Sequence, residues 1–120
     1  MAQAPLQADS NKFAGNPPTV FLGDREKAEE FLMQWNLYEG INSMHAIMRN
    51  PYQKAMLFLT YIQGTNVTEW VGSMVAWLQL QVDVNGRDTT DNWLWYNVHT
   101  SFMHQYGDTL QKEKAQAELQ

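Results

Sequence analysis

The chain has 120 residues, a length suited to one domain, with 13 acidic and 8 basic side chains and a formal net charge of −5. It has no cysteine, which excludes disulfides, thiolate zinc sites and cysteine nucleophiles, and its acidic balance is a poor match to a phosphate backbone. No apolar run approaches the ~20 residues of a membrane span, and residues 1–13 lack the basic and apolar regions of a signal peptide, so a soluble, non-secreted domain is expected.

Residues 1–18 are rich in Ala, Gln, Asn, Gly and Pro and are expected to form a disordered tail. Residues 19–120 are expected to fold as one domain. Thr19-Val20-Phe21-Leu22 is β-branched and aromatic but too short for a helix, and reads as an extended segment lying on the helices. A first helix is predicted from Asp24, a good N-cap. Its inner stripe is Ala28, Phe31, Leu32, Trp35 and Tyr38, and Gly40 is its predicted stop. Residues 41–49 read as a connector.

Asn50-Pro51 predicts the next start, a cap followed by proline at the first helical position. Ala55, Phe58, Leu59 and Ile62 form the inner stripe, and Gly64 is the predicted end. Asn66, with Glu69 three residues on, has the spacing of a capping box. Val67, Trp70, Val71, Met74, Trp77 and Leu78 follow at spacings of three and four, with Val75 and Leu80 widening the arc, so this third helix is predicted to be central. Asn85-Gly86 signals a turn. A fourth helix starting near residues 89–91 points Leu94, Trp95, Val98, Phe102 and Tyr106 inward and stops at Gly107. A fifth is predicted over residues 108–120. The fold class is therefore all-α, a compact bundle of about five helices with a short extended N-terminal segment.

Constellations that carry chemistry are missing. His99 and His104 stand five apart, off the i, i+3 or i+4 spacing of a metal pair on one helix face. Glu26, Glu29 and Glu30 read as a solvated face beside a favourable helix dipole. Asp83, Asp88 and Asp91 do not match a calcium loop, and Ser73 and Ser101 lack the glycine context of a nucleophile elbow. No enzyme activity, cofactor or metal is expected. The five tryptophans read as core. The methionines read as core filler, the alternative being an adaptable peptide groove.

Three stretches together resemble a known family. The first is Pro18-Thr19-Val20-Phe21-Leu22-Gly23-Asp24-Arg25 with Phe31-Leu32, Trp35, Leu37 and Tyr38. The second is Asn50-Pro51-Tyr52 with residues 55–64, then Val67, Glu69 and Trp70-Val71. The third is Trp93-Leu94-Trp95 with Phe102, Asp108-Thr109-Leu110 and residues 115–119. This order of residues resembles the capsid region of Gag from gypsy-class (Metaviridae) long-terminal-repeat retrotransposons, especially fungal ones, and the N-lobe of the domesticated neuronal Gag protein Arc. It covers about residues 17–120. The resemblance implies an N-terminal capsid lobe whose partners are other Gag copies, associating into a shell in the cytoplasm. It also implies an alternative, an interaction module holding short peptides in an apolar groove, with Val20, Phe21, Tyr38 and Met56 as candidates. Under the assembly reading, Glu29, Glu30, Gln34 and Tyr52 are the candidate contact face. The zinc knuckle and protease motif of longer Gag proteins are missing here, and direct nucleic-acid binding is not expected. A second capsid lobe is expected beyond Gln120.

Overall fold

The structure is a computed structural model that describes residues 12–107. The fifth helix expected over 108–120, and residues 1–11 of the expected tail, lie outside the described residues. Four α-helices make the body: α1 (Ala28–Ile41), α2 (Pro51–Thr60), α3 (Thr68–Gln79) and α4 (Asn92–Tyr106). No strand occurs among the described residues. The nearest approach to one is a single parallel bridge between Phe21 and Ile62.

The helix starts follow local chemistry at three of four places. Asp24 Oδ1 accepts the Glu26 N–H at 3.0 Å and opens a 3-10 turn, Arg25–Lys27, that leads into α1. Asn50 Oδ1 accepts from Gln53 N at 2.9 Å, with Pro51 at the first helical position. Asp91 Oδ1 accepts from Trp93 N at 2.9 Å. The start of α3 differs from expectation. Its cap is Val67, with no side-chain hydrogen bond, and Thr68 Oγ1 instead donates back to the Gly64 carbonyl at 2.9 Å.

Two helix ends also differ. α1 runs through Gly40 to Ile41 and is closed by Asn42, whose backbone N–H and side-chain amide both donate to the Tyr38 carbonyl, at 3.2 and 2.8 Å. α2 stops at Thr60, four residues before Gly64, because residues 61–63 pair with the extended segment. Phe21 N donates to Tyr61 O at 2.8 Å, and Gln63 N donates to Phe21 O at 3.0 Å. Gly64 then makes the turn at φ 113°, a left-handed region that favours glycine. α3 passes into a π-helical turn, Leu80–Val84, that leads to Asn85 and Gly86.

Residues 12–18 do not behave as a disordered tail. Ala14 donates to Asn42 Oδ1 at 2.7 Å and accepts from its amide nitrogen at 3.0 Å. The Phe13 ring stacks on His45 at 3.9 Å and on Tyr38 at 5.4 Å. One aromatic ring and one reciprocal amide contact hold a stretch whose average composition signals disorder.

The core forms where α2 and α4 meet, covered by α1. Phe58 sits at its middle, within 5.1–5.6 Å, centroid to centroid, of Trp35, Trp95, Phe102 and Phe31. Leu94, Val98 and Phe102 of α4 are fully buried. Phe31, Trp35, Leu59 and Ile62 are buried as expected, while Leu32, Trp70, Val71, Met74 and Trp77 are only half-buried. Leu78 is the one buried residue within α3. The third helix is therefore a flank, not the centre. Its wide apolar arc covers the bundle from one side, and periodicity does not report how many neighbours a helix has.

Trp35 is fully buried, and its indole N–H has no hydrogen-bond partner among the described residues. Trp70 is half-buried and donates to Ser101 Oγ at 3.1 Å. Trp35→Ala is expected to lose about 3–5 kcal/mol in urea unfolding, and Trp70→Ala about 1–3 kcal/mol. Trp35→Phe is expected to fall well short of the alanine loss, because it also removes a buried donor with no acceptor. A loss below about 1 kcal/mol for Trp35→Ala would contradict this placement of the core.

Candidate functional site

The extended segment alternates, as a short strand does. Phe21 points inward and is 2 % exposed, with its ring 5.1–5.5 Å from Tyr106, Phe102 and Phe31. Val20 and Leu22 face outward, 36 % and 61 % exposed. Between this segment and the start of α1 lies a cavity of about 290 Å³. Phe21 and Phe31 contribute apolar surface to it, and Asp24, Lys27, Glu30 and Gln34 contribute polar groups. Gln34 Oε1 accepts the Thr19 N–H at 2.7 Å and ties the segment to the helix. Phe21 directs both of its backbone groups to residues 61 and 63. Neighbouring backbone groups in an extended chain turn to the other side, and those of Val20 and Leu22 have no backbone partner among the described residues.

A second hollow, of about 270 Å³ and shallower, lies along α2. It is lined by Ile47, Tyr52, Gln53, Met56, Leu57 and Thr60. The two candidate sets taken from the sequence are therefore divided between different places. Val20, Phe21, Glu30 and Gln34 line the first cavity, although they were assigned to two separate roles. Tyr52 and Met56 line the second. Tyr38 lines neither; it is buried beneath Phe13 and beside Tyr61, and its hydroxyl is pushed up to about 12 by burial and by its hydrogen bond with Tyr61. Glu29 is exposed. Sequence reasoning missed Thr19, Leu22, Asp24 and Lys27 as lining residues. The period-two alternation of residues 19–22 was the available signal, since it sets 20 and 22 on one side.

Two polar clusters complete the surface. Lys54 Nζ bonds Glu39 at 2.7 Å and lies 4.7 Å above the Trp95 ring, with the His99 ring tilted against Trp95 at 5.3 Å, centroid to centroid. Burial lowers the His99 pKa below 6.5, against the pull of Glu39. Arg87 pairs with Asp91 at 2.8 Å and covers the Trp93 ring, which packs edge-on against Trp77 at 5.0 Å. Hydrogen bonds from the Thr90 and Trp93 backbones lower the Asp88 and Asp91 carboxyls respectively, as expected of residues fixing a turn and a helix start. Ser101 serves as acceptor for Trp70. Among the described residues no group of three or more His, Asp or Glu side chains could hold a metal ion, and no helix is long and apolar enough to cross a membrane.

No protein-family model, curated protein or solved structure matches this chain.

The His99 shift has a defined consequence. Below about pH 6.5 the unfolded chain takes up a proton that the folded chain does not, so stability rises with pH in that window and falls on acidification. The loss begins near 6.5 and ceases below the lower folded value. Urea midpoints measured across this range are expected to drop for the parent chain and to flatten for His99→Gln. An equal drop in both would show that another group titrates.

Proposed function

We propose that the chain is the N-terminal capsid lobe of a Gag protein from a gypsy-class retrotransposon or a domesticated derivative, and that it works by self-association into a shell. The observation that carries this reading is the convergence of the resembling residues. Phe21, Phe31, Trp35, Phe58, Ile62 and Phe102 come from all three stretches and are all buried in one core cluster. Residues this far apart in the chain, gathered into one centre, behave as the framework of a common fold. The remaining work then belongs to the exterior, which among the described residues offers two hollows and exposed apolar side chains. On this reading the chain is not an enzyme, acts in the cytoplasm, and leaves nucleic-acid binding to other parts of a Gag protein.

Light scattering across concentration tests it. The average mass is expected to rise with concentration and to fall again on dilution, as weak repeated contacts require. RNA retention is expected to be weak and nearly flat with salt, whereas a steep salt dependence would point to phosphate contacts.

A second reading, a peptide-binding module, is favoured by the cavity beside Val20 and by the backbone groups of Val20 and Leu22, which have no backbone partner among the described residues. An extended peptide laid along that edge would gain main-chain hydrogen bonds and place a side chain in the cavity. Titration with short aromatic-containing peptides, followed by tryptophan fluorescence, separates the two. Saturable binding at a constant monomer mass would favour the module over the shell.

A further inference from the structure

Residues 13–15 are held at the end of α1 by three different contacts. Asn42, which closes the helix, is only 5 % exposed. Its Nδ2 donates to the Tyr38 carbonyl at 2.8 Å, which settles which end of the amide is which. The same amide meets both backbone groups of Ala14. Its Oδ1 accepts the Ala14 N–H at 2.7 Å, and its Nδ2 donates to the Ala14 carbonyl at 3.0 Å. This pair reads main chain, not side chain, and Ala14 itself is exposed. Any residue fits there except proline, which has no N–H. One position earlier, the Phe13 ring lies flat on His45, 3.9 Å centroid to centroid and 10° apart in plane, and on Tyr38 at 5.4 Å and 21°. His45 is buried, and its Nδ1 accepts the Ile47 N–H at 3.1 Å, which orients the ring. One position later, Gly15 turns at φ 73°, where a Cβ would collide with the Ile41 side chain.

We propose that Tyr38, Asn42 and His45 form a peptide-binding site for an aromatic–X–glycine segment, X being any residue except proline. Phe13-Ala14-Gly15 is its resident ligand, and a second peptide of that pattern replaces it. None of the three residues lines the cavity beside Val20 or the hollow on α2. The site is therefore distinct from the one in the peptide-module reading and stands under either reading of the function. The bound segment identifies the occupant. A flat aromatic surface takes a ring, a fixed donor–acceptor pair takes the backbone of one residue, and the approach to Ile41 takes glycine. Two features make the segment replaceable. Phe13 is half-buried and Ala14, Gly15 and Asn16 are exposed, and a segment with few buried contacts opens at small cost. The link to the body is also short: Asn16, Pro17 and Pro18 lead to Thr19, whose N–H is held by Gln34. A ligand tethered so closely competes at an effective concentration in the millimolar range. The site is thus closed to weak free peptides and open to strong or locally concentrated ones.

The probe is the capped peptide Lys-Phe-Ala-Gly-Asn-Pro, the sequence of residues 12–17. It is titrated into the whole chain with the resident segment opened by Phe13→Ala or, independently, by Ala14→Pro. Both changes lie outside the four helices, so the helical circular dichroism is expected to match the parent. Saturable binding is expected in both variants, with the Asn42 side-chain amide signals moving in nitrogen–proton NMR spectra. Binding to the parent is expected to be at least ~10-fold weaker, because its own segment competes. A peptide carrying Ala14→Ser is expected to bind as the original does. Peptides carrying Phe13→Ala, Ala14→Pro or Gly15→Val are expected to bind at least ~10-fold more weakly. Failure of both opened variants to bind the peptide would overturn the proposal, as would equal binding to parent and opened variants. Indifference to Ala14→Pro in the peptide would overturn the backbone reading by Asn42. Shifts confined to the backbone amides of residues 20–22 would overturn this site in favour of the cavity beside Val20.

Discussion

The insertion of Phe21 is the constraint on which the rest of the domain depends. Its ring enters the aromatic centre beside Phe31, Phe102 and Tyr106, and its two backbone groups are fixed by Tyr61 and Gln63. One residue therefore ends α2, anchors the segment before α1 and completes the core. A buried ring of this size brings a large hydrophobic contribution, and its paired backbone avoids the penalty of orphaned polar groups. The cavity beside Val20 exists because Phe21 turns inward and leaves its neighbours facing out.

The same use of aromatic residues governs what the molecule can do. Phe58 and Phe102 bring α1, α2 and α4 together through edge-on and tilted ring contacts, and the buried interior is almost wholly apolar. Asn42, His45 and Gln81 are the buried polar residues among those described. Asn42 and Gln81 hold local chain segments in place, and His45 accepts the Ile47 N–H at its Nδ1. A core so occupied leaves recognition to the surface. There the exposed apolar side chains of α1, the cavity at the N-terminal segment and the hollow on α2 offer surfaces outside that core.

Much of the architecture could be read along the chain. Asp24, Asn50 and Asp91 cap where short polar side chains before apolar stripes said they should, because a cap is a contact within three residues. Phe31, Trp35, Phe58, Leu59, Leu94, Val98 and Phe102 were legible as core from spacing alone, since helical periodicity and burial share a cause. The failures are as informative. Gly40 did not stop α1, because Asn42 supplied a better closure by reaching both Tyr38 and Ala14. Gly64 did not end α2, because pairing with Phe21 ended it sooner.

The candidate surface was less legible. Reading α1 for one inner stripe passed over the exposed apolar side chains on its other side, although Met33, Leu37 and Ile41 keep helical spacing. Local sequence therefore carried the helical class, the caps and most of the buried rings, all of which depend on neighbours within one or two turns. The order of the layers did not lie in it: α3 at the flank, α2 against α4, Phe21 folded back onto residues 61–63, and Phe13 stacked on His45. Those are contacts between residues far apart in the chain, chosen by which surfaces fit when the helices close, and no spacing along a single segment encodes that fit.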